Sequence, residues 1–235
     1  MNIKAVLFDL DGTLLPMDQK DFMELYFKSL AAKLTPHGYE PKKLVDSVWA
    51  GTVAMVKNSG EKTNEEAFWN YFDKVYEQDV KQDISIFDDF YRNEFIEVKK
   101  GCGYNPLAAE AIAEIRNMGF RIALATNPLF PSIATENRIR WAGLSPEDFE
   151  YYTTYENSHY CKPNPKYYEE VVAHMGLQPE ECLMVGNDVT EDMVAETIGM
   201  KVFLLTDCLI NKENKDISVY PNGSFEELMS YIKGL

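Results

Sequence analysis

The first strand-like segment of the chain constrains the fold more than any other feature. Residues 3 to 8, IKAVLF, form an almost continuous apolar run rather than an alternating one, which is typical of a strand buried on both faces of a parallel sheet. Helical patterns, such as the one from Leu107 to Met118, separate it from the later strand-like segments. The alternation predicts an α/β fold with a doubly wound, mostly parallel, Rossmann-like sheet. The four later segments are residues 120 to 125, 150 to 154, 182 to 185 and 201 to 205.

Residues 17 to 98 interrupt this alternation. They contain no convincing strand, and apolar side chains recur at helical spacing from Phe22 to Leu34. We therefore predict an all-helical insertion of about four helices, a cap spanning residues 17–98 on a core of residues 1–16 and 99–235. Pro16, Gly101 and Gly103 flank the insertion and are hinge candidates. The later helical stretches of the insertion lie around residues 41 to 57, 64 to 79 and 84 to 98.

Composition excludes several classes of partner. The chain has 235 residues and a formal net charge of −15, so it lacks the clustered basic footprint that nucleic acids and anionic membranes require. Its four cysteines show no C-x-x-C spacing, which indicates reduced thiols of a cytoplasmic protein. The apolar start is interrupted by Asp9 and Asp11 and is too short for a signal peptide or a membrane span. We expect a cytoplasmic protein that acts on a small molecule.

Polar side chains follow three of the predicted strands. In an open parallel sheet, ligands bind outside the carboxyl ends of the strands. Each polar group has an ordinary structural explanation as a turn, a helix cap or a solvated charge. Their occurrence in order at neighbouring strand ends favours a shared site instead. The residues are Asp9, Asp11, Gly12 and Thr13 after the first strand, Thr126 and Asn127 after the second, Lys162 in CKPNP, and Gly186, Asn187, Asp188 and Asp192 after the fourth.

These residue types predict phosphoryl chemistry. Converging carboxylates repel one another unless a cation holds them, and oxygen ligands with open water positions suit Mg²⁺. A carboxylate such as Asp9 can act as a nucleophile and form an aspartyl phosphate. Asp11, two residues on, points the same way from a strand and can protonate the leaving oxygen. A lysine, a threonine hydroxyl and backbone N–H groups can hold the phosphoryl oxygens, and because Pro128 has no N–H, Asn127 must provide the backbone donor there.

The ordered motifs resemble those of the haloacid dehalogenase superfamily of phosphohydrolases, and the match covers the whole chain. DLDGT at 9–13 is similar to its first motif, LATN at 124–127 to its second, Lys162 to its third and GNDVTED at 186–192 to its fourth. The helical insertion is similar to the cap that the family carries between its first and second motifs.

The resemblance also implies roles for individual residues. It implies Asp9 as the nucleophile and Asp11 as the general acid and base, with the backbone carbonyl of Asp11 facing a Mg²⁺ cofactor. The remaining assignments are Asp188 as a metal ligand together with Asp9 and Asp11, Asp192 and Asn187 in support of the metal ligands, and Asp11, Thr126, Asn127 and Lys162 on the phosphate.

The expected activity is magnesium-dependent hydrolysis of the phosphomonoester of a small phosphorylated metabolite, through an aspartyl-phosphate intermediate. A phosphosugar mutase, or a phosphonate-cleaving relative with a Schiff-base lysine in the cap, stays open on the same core. A dehalogenase is disfavoured because such enzymes usually lack an acid where Asp11 stands. In a different class, a phosphoacceptor signalling module would carry its acidic pair on an earlier strand, and the complete motif set argues against a non-catalytic phosphate-binding module. The oligomeric state is left open.

The cap must supply the contacts that select a substrate. Residues 18 to 98 contain 16 acidic and 10 basic residues, so an anionic phosphoester approaches against a general repulsion. The turn KNSGEK, residues 57 to 62, joins two predicted cap helices and combines lysines with an asparagine and a serine. It is either a solvated connection or a lid that contacts the leaving group. On the second interpretation, Asn58 and Lys62 bind the substrate.

Overall fold

A six-stranded, all-parallel sheet forms the core of the computed structural model, which describes residues 2–77 and 80–235. The strand order is β3-β2-β1-β4-β5-β6, so β1 lies inside the sheet and pairs on either side with β2 and β4. The doubly wound α/β core is therefore confirmed. The strands are β1 (Ala5–Phe8), β2 (Arg121–Leu124), β3 (Tyr151–Tyr152), β4 (Cys182–Gly186), β5 (Lys201–Leu205) and β6 (Asn222–Gly223).

The predicted insertion is helical in the structure. Its helices are α1 (Gln19–Leu34), α2 (Pro41–Val56), α3 (Asn64–Tyr76) and α4 (Ile84–Arg92). The expected helix over residues 84–98 divides at Asn93, whose side chain donates to the carbonyl and carboxylate oxygens of Asp89 and so competes with helix continuation. A 3₁₀ helix, Glu94–Gly101, then leads back to the core. The predicted end of the helix over 64–79 lies outside the described residues, as does Met1. The boundaries at 16/17 and 98/99 stay a prediction.

The core helices cover both faces of the sheet. They are α5 (Pro106–Asn117), α6 (Ser132–Trp141), α7 (Pro165–His174) and α8 (Phe225–Lys233). Successive side chains of a strand point to opposite faces: Val6 and Phe8 pack with α5, α6 and α8, whereas Ala5 and Leu7 pack with α7. Short 3₁₀ helices occur at Thr35–His37, Val80–Asp83, Pro146–Asp148, Pro179–Glu181, Met193–Ile198 and Ile217–Val219. Along the described stretches of chain, no helix combines the length and the apolar character needed to cross a bilayer.

The cap packs on the core through aromatic side chains. The ring of Phe22 on α1 meets that of Phe130 edge-to-face, with centroids 6.2 Å apart, and Phe95 stacks on Trp141 at 5.0 Å. The amino terminus of α3 is attached separately, because the backbone N–H of Asn64 donates to the carbonyl of Ser158 at 2.8 Å. The cap therefore has both apolar and hydrogen-bonded contacts with the core, and a cavity lies between the two parts.

Candidate active site

Asp9 lies immediately after β1, at the carboxyl edge of the sheet. Its backbone N–H donates to the carbonyl of Val185 at 2.9 Å, which continues the sheet pairing and fixes the position of the side chain. The carboxylate is 7% exposed and accepts two hydrogen bonds, from Lys162 Nζ at 2.8 Å and from Thr13 Oγ1 at 3.2 Å. Burial raises the pKa of Asp9 to about 7 against the lowering effect of Lys162. A further positive charge here would stabilise the ionised carboxylate.

Lys162 joins two carboxylates beneath the cavity. Its ammonium group is 1% exposed and donates to Asp9 Oδ1 and, at 2.6 Å, to Asp192 Oδ1. Burial alone would lower the pKa of Lys162, but the attraction of Asp192 and Asp9 outweighs it and raises the pKa well above its usual value. Lys162 is therefore a permanent cation that holds Asp9 in place.

The loop after β4 holds Asp188 through Asp192. The Oδ2 atom of Asp192 accepts from the backbone N–H of Asp188 at 2.9 Å. Gly186 is required for this arrangement, because a Cβ there would lie 2.1 Å from that same Oδ2 atom. The Oδ1 atom of Asp188 accepts from the backbone N–H groups of Thr190 and Glu191 at 2.7 and 2.9 Å. This leaves Oδ2 of Asp188 free to bind a ligand.

Asp11 has a partner that the sequence analysis missed. Arg138, on α6, is 1% exposed and donates from Nη1 to Asp11 Oδ2. Its guanidinium lies 4.5 Å from the ring centroid of Phe130, and Nε donates to the carbonyl of Ala134. Burial raises the pKa of Asp11, although Arg138 and Lys162 oppose the rise. A sequence signal existed: an arginine four residues from Ala134 and from Ala142 lies on the apolar face of α6.

Asn127 and Asn187 are held by neighbouring loops. Asn127 Nδ2 donates to Glu191 Oε2 at 3.0 Å, and Asn187 Nδ2 donates to the carbonyl of Cys208 at 2.6 Å. Asn187 Oδ1 lies 3.0 Å from Thr13 Oγ1 and shares the single hydroxyl proton of Thr13 with Asp9 Oδ2. Thr126 lies beside them, with its carbonyl accepting from the hydroxyls of Thr153 and Tyr167. The strand-end residues expected from the sequence are thus brought to one edge.

The cavity between the cap and the core has a volume of about 340 Å³. Asp9, Asp11, Thr126, Asn127 and Asp188 line its floor, and cap side chains line the rest. The turn at residues 57–62 does not line this cavity: the Asn58 side chain donates to the carbonyl of Lys62 and to Asn64 Oδ1, and Lys62 is exposed. The structure therefore does not bring Asn58 and Lys62 to the other site residues.

The acidic residues of the floor fit a magnesium ion in part. Mg²⁺ keeps several waters and takes one or two protein carboxylates together with substrate phosphate; Asp9 and Asp188 supply such oxygen atoms. The Asp11 carboxylate does not fit as a third ligand, because it is paired with Arg138. Consistently, no group of three acidic, histidine or cysteine side chains forms a metal site within residues 2–77 and 80–235. The atom of Asp11 that remains available as a metal ligand is its backbone carbonyl oxygen.

These features define a Rossmann-like enzyme with a helical cap. Its site, which contains the cluster of Lys162 and its carboxylates, lies at the carboxyl edge of the strands. The family model of the haloacid dehalogenase-like hydrolases matches residues 3–195, and the chain belongs to this family. The expectation of a hydrolase of this superfamily is confirmed.

Individual relatives are distant. The pyrophosphatase PpaX of Bacillus cereus (strain AH820) is 24% identical over 204 residues, covering 86% of this chain and 82% of PpaX. A HAD phosphatase from Thermococcus onnurineus superposes with a TM-score of 0.61 at 19% identity, and a 2-haloacid dehalogenase from Pseudomonas syringae pv. Tomato DC3000 with 0.64 at 18%; each covers 99% of both chains. These two structures share the fold with this chain. Because one is a phosphatase and the other a dehalogenase, the fold alone does not identify the reaction, which depends on the residues of the site.

Proposed function

We propose that this protein is a magnesium-dependent phosphomonoesterase that acts through an aspartyl phosphate on Asp9. The observation that carries the proposal is the placement of Asp9, a buried carboxylate at the end of a central strand that is fixed by Lys162 and Thr13. The acidic pair of Asp9 and Asp11 at the floor of one cavity supports it, because phosphoester cleavage needs both a nucleophile and a proton donor.

Each residue has a defined task in the proposed reaction. An oxygen atom of Asp9 attacks the phosphorus atom, and the bond between phosphorus and the ester oxygen breaks. Asp11 gives a proton to the leaving oxygen and carries that proton on Oδ1 once the phosphoester is bound. Oδ1 is buried and has no hydrogen-bond partner among the described residues, whereas Oδ2 accepts from Arg138. Asp11 then takes a proton from the water that attacks the phosphoenzyme, which releases phosphate and regenerates Asp9.

The phosphoryl group is held from two sides. Thr126 and Asn127 line the cavity together with Asp188, and in the proposed reaction the Thr126 hydroxyl and the Asn127 backbone N–H donate to phosphoryl oxygens. Lys162 stays charged and keeps the Asp9 carboxylate aimed at the cavity. A magnesium ion held by Asp9 and Asp188 would supply positive charge to the phosphoryl oxygens.

Phosphate release from a panel of phosphomonoesters tests the proposal. In the presence of Mg²⁺ the wild-type protein is expected to release phosphate, and Asp9→Asn to lose turnover by about 1000-fold or more because a carboxamide is a poor nucleophile. The matched control is Asp46→Asn, an exposed aspartate on α2 that pairs with Lys42. A chelator should abolish activity and added Mg²⁺ should restore it. Undiminished turnover by Asp9→Asn, or in excess chelator, contradicts the proposal.

Dehalogenation of a 2-haloacid is the second candidate, because the apolar cavity suits a small organic substrate. A haloacid, however, carries a carboxylate that needs a cation, and the two buried cations of the site, Lys162 and Arg138, are both engaged by aspartates. The same panel therefore includes 2-chloropropionate with halide release as the readout. Halide release without phosphate release would replace the first proposal with the second.

A further inference from the structure

We propose that the substrate is the phosphate monoester of an aromatic or similarly apolar, uncharged alcohol. This inference rests on the proposed function and names the group that the cap accepts. It depends on the chemistry of the cavity wall, on the pairing of the polar groups in that wall and on the position of the nearby cations.

Aromatic side chains dominate the part of the cavity above the floor. The wall is formed mainly by α1–α4 and by the segment from Leu129 to Pro131. A wall of this kind favours apolar groups and stacks well on aromatic rings. The aromatic lining residues are Phe22, Tyr26, Phe27, Trp49, Phe68, Trp69, Phe87, Tyr91, Phe130 and Tyr155.

Four polar side chains of this wall, those of Tyr26, Tyr91, Trp69 and Thr52, already take part in hydrogen bonds, and Gln19 and Trp49 are the other polar side chains of the cap in the lining. The hydroxyls of Tyr26 and Tyr91 bond to each other at 2.9 Å, and Trp69 Nε1 donates to the hydroxyl of Tyr155 at 3.4 Å. Thr52 Oγ1 donates to the carbonyl of Val48 at 2.9 Å. A substrate with several hydroxyls, such as a sugar phosphate, would thus lose its hydration without gaining matching hydrogen bonds, which is costly.

A second anionic group would also lack a partner. Among the residues that the structure describes, the one lysine or arginine lining the cavity is Lys212, which is exposed and belongs to the core. Two basic residues of the cap are engaged elsewhere: Lys33 pairs with Asp89 and Glu94, and Lys43 lies over the ring of Tyr76. The other cap lysines and arginines do not line the cavity among the described residues. An unpaired charge buried against an apolar wall is strongly disfavoured. Pyrophosphate and phosphorylated carboxylic acids are therefore poor substrates in this inference.

The cavity also limits the size of the alcohol. Its volume of about 340 Å³ lies at the lower end of the range for small-molecule pockets. Because the phosphoryl group occupies the floor between Asp9 and Asp188, the remaining space suits a group of about one aromatic ring.

The test compares esters whose leaving groups have similar intrinsic reactivity. Benzyl phosphate, glycerol 1-phosphate and 2-phosphoglycolate are all esters of primary alcohols, and 2-phosphoglycolate adds a second anionic group. We expect kcat/KM for benzyl phosphate to exceed that for each of the others by about 10-fold or more. An equal or higher kcat/KM for either of the two overturns the inference and leaves the proposed function standing.

A charge inserted into the wall gives an independent readout. Thr52→Lys places an ammonium group in the cavity, and Val53→Lys places the same group on the next residue of α2, which is 48% exposed and does not line the cavity. We expect Thr52→Lys to lower the ratio of kcat/KM for benzyl phosphate to that for 2-phosphoglycolate by about 10-fold. Val53→Lys should leave the ratio unchanged. Equal ratios in the two variants contradict the inference.

A binding measurement separates this inference from the proposed function. Calorimetric titration with benzylphosphonate and phosphonoacetate, which are not hydrolysed as esters, should give a Kd for benzylphosphonate about 10-fold lower or more. If no ester releases phosphate, the proposed function fails and this comparison alone decides whether the cavity is an apolar binding site. A lower Kd for phosphonoacetate overturns the inference.

Discussion

At the scale of single residues, two buried cations hold the two carboxylates to which the proposed function assigns the reaction. Lys162 fixes Asp9 from below, and Arg138 fixes Asp11 from the side of α6. Breaking a buried ion pair by removing one partner leaves an uncompensated charge, which costs more than the pair contributes. The position of each aspartate therefore depends on a cation that comes from a distant part of the chain.

The dependence can be measured at Arg138. We expect Arg138→Met to lower the free energy of unfolding by about 2 kcal/mol, because Asp11, whose side chain is 25% exposed, then keeps its negative charge without its partner. The double variant Arg138→Met/Asp11→Asn should regain much of that loss, since the amide carries no charge. Urea unfolding of the two single variants and the double variant measures both effects. A double variant no more stable than Arg138→Met contradicts this account.

The sequence was informative for residues that follow strands. Asp9, Asp11 and Asp188 were predicted to lie together because parallel strands bring their carboxyl ends to one edge, and the structure places them along the floor of one cavity. Arg138 was missed because arginine on a helix is usually exposed, and its burial depends on the packing of α6 against Phe130 and Asp11. The spacing from Ala134 and Ala142 marked the helix face of Arg138, but nothing in the sequence identified Asp11 as its partner.

At the scale of elements, the turn before α3 attaches the cap to the core. Gly60 has a φ of +93°, and a Cβ there would lie 2.1 Å from the hydroxyl oxygen of Tyr160. The Asn58 side chain braces this turn, with Oδ1 accepting from the backbone N–H of Gly60 at 3.3 Å. The turn at residues 57–62, one interpretation of which was a lid over the substrate, thus packs against the core in this structure.

A pair of glycines isolates the contribution of this contact. Gly38 has nearly the same φ, +92°, but open space around its Cβ position. Both Gly60→Ala and Gly38→Ala introduce a strained left-handed backbone, which costs about 1–2 kcal/mol. We expect the melting temperature of Gly60→Ala to fall further, because Tyr160 must also be displaced. Equal melting temperatures of the two variants, measured by circular dichroism, would show that the turn does not pack tightly against Tyr160.

The elements themselves were predicted unevenly. Strands β1, β2, β4 and β5 were expected from apolar runs, and their observed bounds differ from the expected ones by at most two residues at either end. The sixth strand, Asn222–Gly223, was missed because two residues of low strand propensity give no pattern; they join the sheet by pairing with Leu204 and Leu205. Helix spacing was sufficient for the cap, since α1 buries Phe22, Tyr26, Leu30 and Leu34 along one stripe.

At the scale of the whole molecule, the cap and the core share one apolar cluster. It extends from Phe8 in the sheet through Phe22 and Phe72 in the cap to Trp141 at the end of α6. Elements that bury their apolar surface against one another lose that stabilisation together. The cap is therefore not expected to fold independently of the core.

Three tryptophans allow this expectation to be tested. Trp49 and Trp69 lie in α2 and α3, and Trp141 lies in α6. In Trp141→Phe the two remaining tryptophans report on the cap. We expect the urea midpoint measured by their fluorescence to equal the midpoint measured by circular dichroism on the same variant. Trp49→Phe/Trp69→Phe, which reports on the core, should likewise agree with its own circular dichroism curve. A separate earlier transition of the cap tryptophans contradicts a shared cluster.

The strand order has a consequence for synthesis on the ribosome. Of the six described strands, β1 is made before the others and lies between β2 and β4, whose residues follow it by more than a hundred positions. The nascent chain therefore presents a strand of four apolar residues, and then the four cap helices, before either neighbouring strand exists. Contacts between such distant segments close slowly. Asp9 gains both Lys162 and the paired strand β4 only after more than 170 further residues have been translated.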